Sequence, residues 1–137
     1  MKRWTWASFF LLLGGVCWAA ESSTLLEEGL RLANDGKASE SLVMIRRAAA
    51  AAPSDAATQT ALGLVALQNQ NLQEARGALE RAVQLDPNSQ TAFYSLAMLY
   101  EKLKMGPEAR SAWQRFLSLS PSAEMAELAR RHVERLQ

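Results

Sequence analysis

The sequence has little of what enzymes and metal proteins usually need. Its 137 residues include one cysteine, Cys17, and one histidine, His132. A single thiol cannot close an intrachain disulfide, and structural zinc sites take several Cys or His ligands. A glycine-rich phosphate loop, metal-ligand spacing and a nucleophile paired with a base are all absent from the sequence. We therefore expect a protein that is not an enzyme and that uses no cofactor or metal.

Two features could be mistaken for chemical sites. His132 stands among three arginines near the C-terminus, and their positive charges disfavour its protonated form and its use as a metal ligand. We expect His132 to lie on a solvated helix face. Glu27 and Glu28 are neighbouring carboxylates, but adjacent residues of a helix point about 100° apart, so the pair cannot flank one bond.

An excess of charge of one sign is also lacking. The chain has 15 Lys and Arg against 14 Asp and Glu, a formal net charge of +1. This balance gives no field that would gather phosphate backbones, so nucleic acid is not an expected partner. Lys2 and Arg3 are the only charged residues among the first twenty, and removal of that segment would leave a net charge of −1.

Residues 1–20 have the order of a secretory signal peptide. A short basic start is followed by the apolar run Phe9–Val16 and by small residues at Ala19 and Ala20. Cleavage after Ala19 would place Cys17 and Ala19 at the two small-residue positions of the cleavage site, and we prefer it to cleavage after Ala20. The sequence therefore predicts a secreted, periplasmic protein.

Two alternatives for this segment stay open. Trp4–Ala20 spans 17 residues, close to the lower limit of about 17 for a helix that crosses a bilayer, so the segment could be an uncleaved anchor. Cys17 could instead be lipid-modified, because the preceding residues resemble a lipoprotein signal. Such signals usually have Gly, Ala or Ser directly before the cysteine, where this chain has Val16.

Three prolines set a period along the rest of the chain. Pro53, Pro87 and Pro121 are each 34 residues apart. A constant period between about 20 and 50 residues indicates a stack of repeated supersecondary units. Within each period apolar residues recur at spacings of three and four, which predicts two helices, and there is no alternating strand pattern. The sequence therefore predicts an all-α fold.

Turn and cap residues predict where the helices begin and end. Gly36 is placed to adopt the left-handed conformation after a helix, and Pro107 suits the first turn of one. Expected N-terminal caps are Ser54 or Asp55, Asn71, and Asn88. Glu74, three residues after Asn71, completes a sequence that resembles a capping box. In the second unit we expect Leu62, Val65 and Ala66 to be buried.

Small residues recur at fixed places in each period. They are Gly29, Gly63 and Ala97 in the first helices, and Ser41, Ala75 and Ala109 in the second helices. Together with the spaced prolines, they make the chain resemble the tetratricopeptide repeat family, whose helix-turn-helix units stack into a right-handed superhelix. The predicted organisation is a signal segment at 1–20, repeat units at 22–55, 56–89 and 90–123, and a C-terminal capping helix at 121–137.

Three residues depart from the family pattern. Glu28 stands where an apolar residue is usual, which is tolerable if no neighbour covers the first unit. Gln59 replaces an aromatic residue. Phe116 replaces an alanine, which suggests wider packing against the capping helix than between units.

The resemblance implies that the first helices of the units line a concave groove where a partner binds. The groove residues it implies are Leu26, Leu30, Asn34, Thr60, Leu64, Leu67, Gln68, Tyr94, Met98, Glu101 and Lys102. An apolar strip with a polar margin suits a helix or an extended peptide. It does not suit the clamp for C-terminal carboxylates that some members carry, which resembles a set of Lys, Asn and Arg at these places, because Leu26, Thr60 and Tyr94 stand here instead.

Two functions follow from this pattern. The first is an interaction module of the bacterial envelope that binds a protein segment and assists assembly of a larger complex. The second is a structural, self-associating subunit, with the alanine-rich run Ala48–Ala52 near an exposed end face. A simpler explanation of the groove leucines also stays open, namely that they pack between neighbouring helices or that the chain's own C-terminus fills the groove.

Overall fold

The computed structural model describes the backbone of residues 7–136 and the side chains of residues 20–136. Within that part the chain forms seven helices and no strand. The helices are α1 (Ala7–Asn34), α2 (Ala38–Ala51), α3 (Ala56–Gln68), α4 (Leu72–Leu85), α5 (Gln90–Lys102), α6 (Gly106–Ser118) and α7 (Ala123–Arg135). Each helix packs on the next one along the chain, and α3 also touches α1 and α5. The result is an all-α superhelix of three helical hairpins closed by α7.

The first helix is much longer than the other six. It runs without a break from Ala7 to Asn34, across residue 22, where the first unit was predicted to begin. Ser22 is buried, and its hydroxyl donates a hydrogen bond to the carbonyl oxygen of Ala48 at 3.3 Å, which fastens α1 to α2. The predictions for residues 1–6, and for the side chains of Cys17 and Ala19, lie outside the described part. Among the described residues, no helix combines the length and the apolar character needed to cross a bilayer.

The helix starts follow the sequence signals in part. The Asp55 carboxylate accepts a hydrogen bond from the backbone N–H of Thr58 at 2.8 Å and so caps α3. Pro107 lies in the first turn of α6, as predicted. The predicted cap of α5 was wrong by one residue: Ser89, not Asn88, accepts the hydrogen bond from Ala92 N–H, at 3.2 Å.

The predicted capping box at α4 was also wrong. Asn71 stands at the N-cap of α4, but its side chain makes no capping hydrogen bond. Glu74 instead receives two hydrogen bonds of 2.7 Å from the guanidinium of Arg46 on α2. A charge-assisted, bidentate pair between units therefore replaces the weaker local bond.

The turn inside each unit has the same backbone shape. Gly36 has φ 77°, as predicted, and the residues one and two periods later, Gln70 and Lys104, have φ 60°. Each turn is closed by a hydrogen bond from the residue after the left-handed one to a carbonyl five residues earlier: Lys37 to Leu32, Asn71 to Ala66, and Met105 to Tyr100. Gln70 and Lys104 hold this conformation although a Cβ atom disfavours it.

Close contact between the two helices of a unit depends on small residues in the first two units. A Cβ atom added to Gly29 would lie 2.5 Å from Cδ1 of Ile45, and one added to Gly63 would lie 2.5 Å from Cγ of Leu79. Ile45 and Leu79 are both fully buried. Glycine is therefore required where α1 meets α2 and where α3 meets α4.

The third unit has an aromatic core. Trp113 is fully buried, and it shares a cluster with Ala97, Phe116 and Ala129, the last of which lies on the capping helix. The ring centroids of Trp113 and Phe116 are 5.9 Å apart at 80°, an edge-on arrangement. Phe116 thus lies where the third unit meets the cap.

Burial in the second unit differs slightly from the prediction. Val65 and Ala66 are buried, but Leu62 is only partly buried at the edge of the core. Gln59, which replaces an aromatic residue, is buried, and its amide nitrogen donates to the carbonyl oxygen of Pro53 at 3.3 Å. That bond satisfies a polar group that would otherwise be costly to bury.

Candidate partner-binding groove

Three exposed apolar side chains recur at the same place in consecutive units. Leu30 on α1, Leu64 on α3 and Met98 on α5 are 43%, 38% and 41% exposed, which is unusual for large apolar residues at regular intervals. They are one period apart, and their helices are neighbours in the stack. Equal places in a regular array lie on the same face, so the three side chains form one row, here called the apolar ladder.

Other predicted groove residues belong partly to the protein core. Leu26 and Leu67 are partly buried and pack against the core cluster of the first two units. Tyr94 is also partly buried, with its ring centroid 5.4 Å from that of Trp113 and 5.7 Å from that of Phe116. Packing between helices, the simpler explanation of the groove leucines, therefore accounts for much of the surface of Leu26 and Leu67. It does not account for the exposed ladder.

Three polar residues, Asn34, Gln68 and Lys102, lie at the margin of the groove, and Lys102 makes a bond between two units. Asn34 and Gln68 are exposed, and Lys102 donates from Nζ to the side-chain oxygen of Gln70 at 2.9 Å. The hydroxyl of Thr60 donates to the carbonyl oxygen of Ala56 at 2.8 Å, inside its own helix. Asn34 and Gln68 therefore offer amides beside the apolar ladder.

Glu101 is engaged with the cap. One of its carboxylate oxygens lies 2.6 Å from Nε1 of Trp113 and 2.6 Å from Nδ1 of His132, and the other lies 3.9 Å from Arg135. Its side chain is 23% exposed. Glu101 therefore joins α5 to α6 and α7.

The prediction for His132 was wrong. Its side chain is only 12% exposed, and its ring lies against Trp113 with the ring centroids 4.6 Å apart. Among the C-terminal arginines, Arg135 lies beside the imidazole, 2.7 Å from Nδ1. His132 lies three residues after the buried Ala129, and this spacing was the signal that could have placed it on the packed side of α7.

Few of the predicted groove residues are ionisable. Of the eleven predicted groove residues, the ionisable ones are Glu101, Lys102 and Tyr94; Glu101 and Lys102 are bonded within the chain, and Tyr94 packs on Trp113. In the described part of the chain, no three His, Cys, Asp or Glu side chains are grouped so that they could hold a metal ion. The groove can therefore offer apolar contact, amide hydrogen bonds and one ammonium group, that of Lys102.

A second periodic feature escaped the sequence reasoning. Arg81 on α4 donates from Nε to the carbonyl oxygen of Pro53, and Arg115 on α6 donates from Nη2 to that of Pro87, both at 3.0 Å. Arg81 and Arg115 are one period apart, as are the two prolines, and this spacing was available in the sequence. Each arginine satisfies a carbonyl at the end of the preceding unit's second helix.

A stack of helical hairpins with a groove lined by the first helices defines a helical-repeat solenoid, a class of protein that binds other proteins. Residues 26–90 and 60–124 match the profile of the tetratricopeptide repeat family. The chain belongs to this family, which is generally a non-catalytic interaction fold.

Among characterised proteins, the chain is similar to the PEX5-related protein of Mus musculus and to that of Homo sapiens. It is 30% identical to each over 95 residues, which is 69% of this chain. The matched region is 17% of the mouse protein and 15% of the human one, so the chain spans about a sixth of the length of these relatives.

Solved structures share the fold at low sequence identity. The TPR domain of Arabidopsis OM64 has a TM-score of 0.79 at 17% identity, over 86% of this chain and 98% of that one. The first TPR of Spaghetti (RPAP3), bound to the HSP90 peptide SRMEEVD, has a TM-score of 0.78 at 20% identity, over 86% and 94%. The TPR2B domain of yeast Sti1, in complex with pHsp70, has a TM-score of 0.75 at 14% identity, over 85% and 96%.

Proposed function

We propose that this chain is a non-enzymatic interaction module that holds a helix or an extended segment of another protein in its concave groove. The observation that carries the proposal is the apolar ladder, in which Leu30, Leu64 and Met98 are each about two-fifths exposed at the same place of three neighbouring units. Isolated exposed leucines are ordinary, but a regular row of them indicates a surface that another molecule covers.

The ladder alone would bind weakly. Full burial of a Leu or Met side chain contributes about 1.5–3 kcal/mol, so covering the exposed part of three such residues contributes ~3 kcal/mol in total. Association costs at least ~4 kcal/mol in lost freedom of motion. The ligand therefore needs hydrogen bonds as well, and the exposed amides of Asn34 and Gln68 are placed to supply them.

The charge of the groove argues for an apolar, weakly charged ligand. The peptide bound by the Spaghetti TPR, SRMEEVD, carries two glutamates and an aspartate. In this chain Lys102 is the one basic residue among the eleven predicted groove residues. A ligand with alternating or helically spaced apolar side chains suits the ladder better than an acidic tail.

We place the module in the bacterial envelope, where it assists assembly of a larger complex. The order of a basic start, an apolar run and small residues in positions 1–20 supports this location. Attachment to the membrane would come from an uncleaved signal segment or from a lipid on Cys17. The intact mass of the protein purified from cells distinguishes cleavage, retention and lipidation.

The second candidate function is a self-associating structural subunit. Val43 favours it, because this large apolar residue is 50% exposed on α2, the second helix of the first unit. Light scattering over a concentration series separates the two functions. A monomer at tens of micromolar would eliminate the structural role.

A double substitution, Leu64→Asp with Met98→Asp, tests the groove. Both side chains already contact water, so we expect helical content to be unchanged while crosslinked capture of a partner from an envelope extract is lost. Leu85→Asp is the matched control, because Leu85 is also 38% exposed but lies at the end of α4 rather than on a first helix. Capture that survives the double substitution, or that is lost equally with Leu85→Asp, would contradict the proposal. If the double variant unfolds, Leu64→Ser with Met98→Gln repeats the test with smaller changes.

A further inference from the structure

The apolar ladder contains one sulfur atom. Leu30 and Leu64 have saturated hydrocarbon side chains, whereas the side chain of Met98 carries a thioether. Among the eleven predicted groove residues, Met98 is the only one that contains sulfur. Leucine occupies the same place in the first two units, so the packing of this place does not require sulfur. Met98 therefore gives the groove a chemical property that its counterparts lack, because a thioether takes up an oxygen atom from mild oxidants.

Met98 is also the most accessible methionine among the residues whose side chains are described. It is 41% exposed, whereas Met44, Met105 and Met125 are each less exposed. The sulfur of Met105 receives a hydrogen bond from Arg76 at 3.8 Å, and Met125 packs against the aromatic cluster of the third unit. Oxidation requires contact between the sulfur and a dissolved oxidant, so these differences favour reaction at Met98.

The place of Met98 on α5 separates it from the core. Its two sequence neighbours, Ala97 and Leu99, are buried, and each belongs to one of the two hydrophobic clusters. Met98 belongs to neither cluster. An oxygen atom added to its sulfur therefore enters the groove rather than the core, and the helices need not move to accept it.

We infer that Met98 is an oxidation site whose modification weakens binding in the groove; the effect on binding rests on the proposed function. The oxidant is a hydroperoxide such as hydrogen peroxide. A lone pair of Sδ attacks one peroxide oxygen, an S–O bond forms and the O–O bond breaks. The proton of the transferred oxygen passes to the departing hydroxide, which leaves as water. Sulfur loses an electron pair, the peroxide gains it, and Met98 becomes methionine sulfoxide.

The sulfoxide removes one of the three apolar members of the ladder. Its S–O group is polar and hydrated, and a partner that packs on the ladder has to displace that water. Burial of a polar group without a hydrogen bond opposes binding, so we expect capture of a partner to fall by about tenfold. A bound partner covers the sulfur, so it should also protect Met98 from peroxide.

The site itself is tested on the full chain without any partner. Hydrogen peroxide is added, and mass spectrometry of proteolytic peptides follows the gain of one oxygen atom at each methionine over time. We expect Met98 to react at least about three times faster than Met44, Met105 and Met125, because it is the most exposed. Helical content and the urea midpoint should not change when Met98 is oxidised. Equal rates at the four methionines, or loss of helical content with oxidation of Met98, would overturn the inference.

The effect on binding is tested by crosslinked capture from an envelope extract, after the peroxide has been removed from the treated chain. Each chain is compared with its own untreated sample. We expect treatment to lower capture by the natural chain and by Met44→Leu, and to leave capture by Met98→Leu at its untreated level. Met98→Gln, which places a polar group in the groove, should capture less than the natural chain without any peroxide.

The outcomes separate this inference from the proposed function. Equal capture by the oxidised and the untreated natural chain would overturn the inference and leave the proposed function standing. The same drop on treatment of Met98→Leu would also overturn it, because another residue would then be responsible. If the untreated natural chain captures nothing, the proposed function is contradicted, and the effect of oxidation on binding falls with it. The oxidation rates decide the modification site in either case.

Discussion

The first two units and the third make the same helix-to-helix contact with side chains of different size. Gly29 meets Ile45 and Gly63 meets Leu79, with no room for a Cβ atom on either glycine. One period later an alanine, Ala97, stands at the glycine place, and Trp113 replaces the aliphatic residue. The larger ring of Trp113 reaches the capping helix, where its centroid lies 4.6 Å from that of His132. The three units therefore share the same helix arrangement, while the sizes of the side chains at this contact differ between units.

The two regions also differ in how they use polar groups. In the third unit the indole N–H of Trp113 donates to Glu101, which also binds His132 of the cap. In the first unit the hydroxyl of Ser41 donates to the carbonyl of Gly29 at 2.7 Å, within a single hairpin. The contacts of Glu101 thus join three helices, whereas that of Ser41 joins two. We expect the third unit and the cap to depend on each other for stability.

The largest effect is expected for Trp113→Ala. Removal of a fully buried tryptophan should cost ~3–5 kcal/mol, because it leaves a cavity and removes the indole N–H that donates to Glu101. Hydrogen exchange should show lost protection in α5, α6 and α7 and retained protection in α2, α3 and α4. Trp113→Phe is the control, because it keeps most of the ring volume and loses only the N–H bond to Glu101. A loss below ~1 kcal/mol for the alanine variant would show that the aromatic cluster is not the core of this region.

Gly63→Ala should have an intermediate effect. The new methyl group would lie 2.5 Å from Cγ of Leu79, the branch point of a fully buried side chain that has no free space to turn. Overpacking of this kind costs ~1–3 kcal/mol, and the better helix propensity of alanine offsets up to ~1 kcal/mol of that. Gly29→Ala should have a similar cost, because its methyl group would lie 2.5 Å from Cδ1 and 2.7 Å from Cγ1 of the equally buried Ile45.

Urea unfolding of the Gly63 and Gly29 variants measures these costs. Leu79→Val in the Gly63→Ala background should recover part of the loss by withdrawing the obstructing atoms. Ala97→Gly is the reverse change in the third unit, and it should cost about 1 kcal/mol from helix propensity alone. A gain in stability for either alanine variant would show that the two helices of that unit do not require glycine at their contact.

The smallest effect is expected for Glu74→Gln. Hydrogen bonds from Arg46 hold the pKa of Glu74 below its usual value of 4.5. A carboxylate with a lowered pKa stabilises the folded state above its unfolded pKa, and the effect is lost as the pH falls through the folded value. The pair is about one-third to one-half exposed, so we expect a loss of up to ~1 kcal/mol at pH 7 and almost none well below pH 4.

Urea midpoints at the two pH values measure the Glu74→Gln effect. Glu108→Gln is the matched control, because Glu108 stands one period later and the residue at the place of Arg46 is there another acid, Glu80. A loss that is the same at both pH values would show that Glu74 acts through packing rather than charge.

Much of the fold could be predicted from the sequence, because its determinants are local or strictly periodic. Pro53, Pro87 and Pro121 set the unit length, and helical spacing within each period gave the helices. Contacts over long distances in sequence were the ones that escaped. Asn71 and Glu74 have the spacing of a capping box, but Arg46 lies 28 residues from Glu74 and competes successfully for its carboxylate.

The sequence predicted which positions line the groove, but it did not predict how exposed the side chain at each position is. The family pattern identified Leu30, Leu64 and Met98 together with Leu26 and Leu67, and only the first three are exposed in the structure. How deeply a residue at the margin is buried depends on the rotation between neighbouring units, which periodicity does not encode. The same holds for Glu101 and His132, since their contact depends on how α7 docks on α6.

The left-handed turn at Gln70 bears on the mechanical stiffness of the array. Glycine would adopt φ 60° with less strain, but it would lack the side chain that accepts a hydrogen bond from Lys102 of the next unit at 2.9 Å. A residue that is locally unfavourable thus ties two hairpins together at the rim of the groove. Glycine at this turn would ease the folding of a single unit, but it would remove the hydrogen bond that makes the join between units more rigid. The chain has glutamine here and keeps that bond.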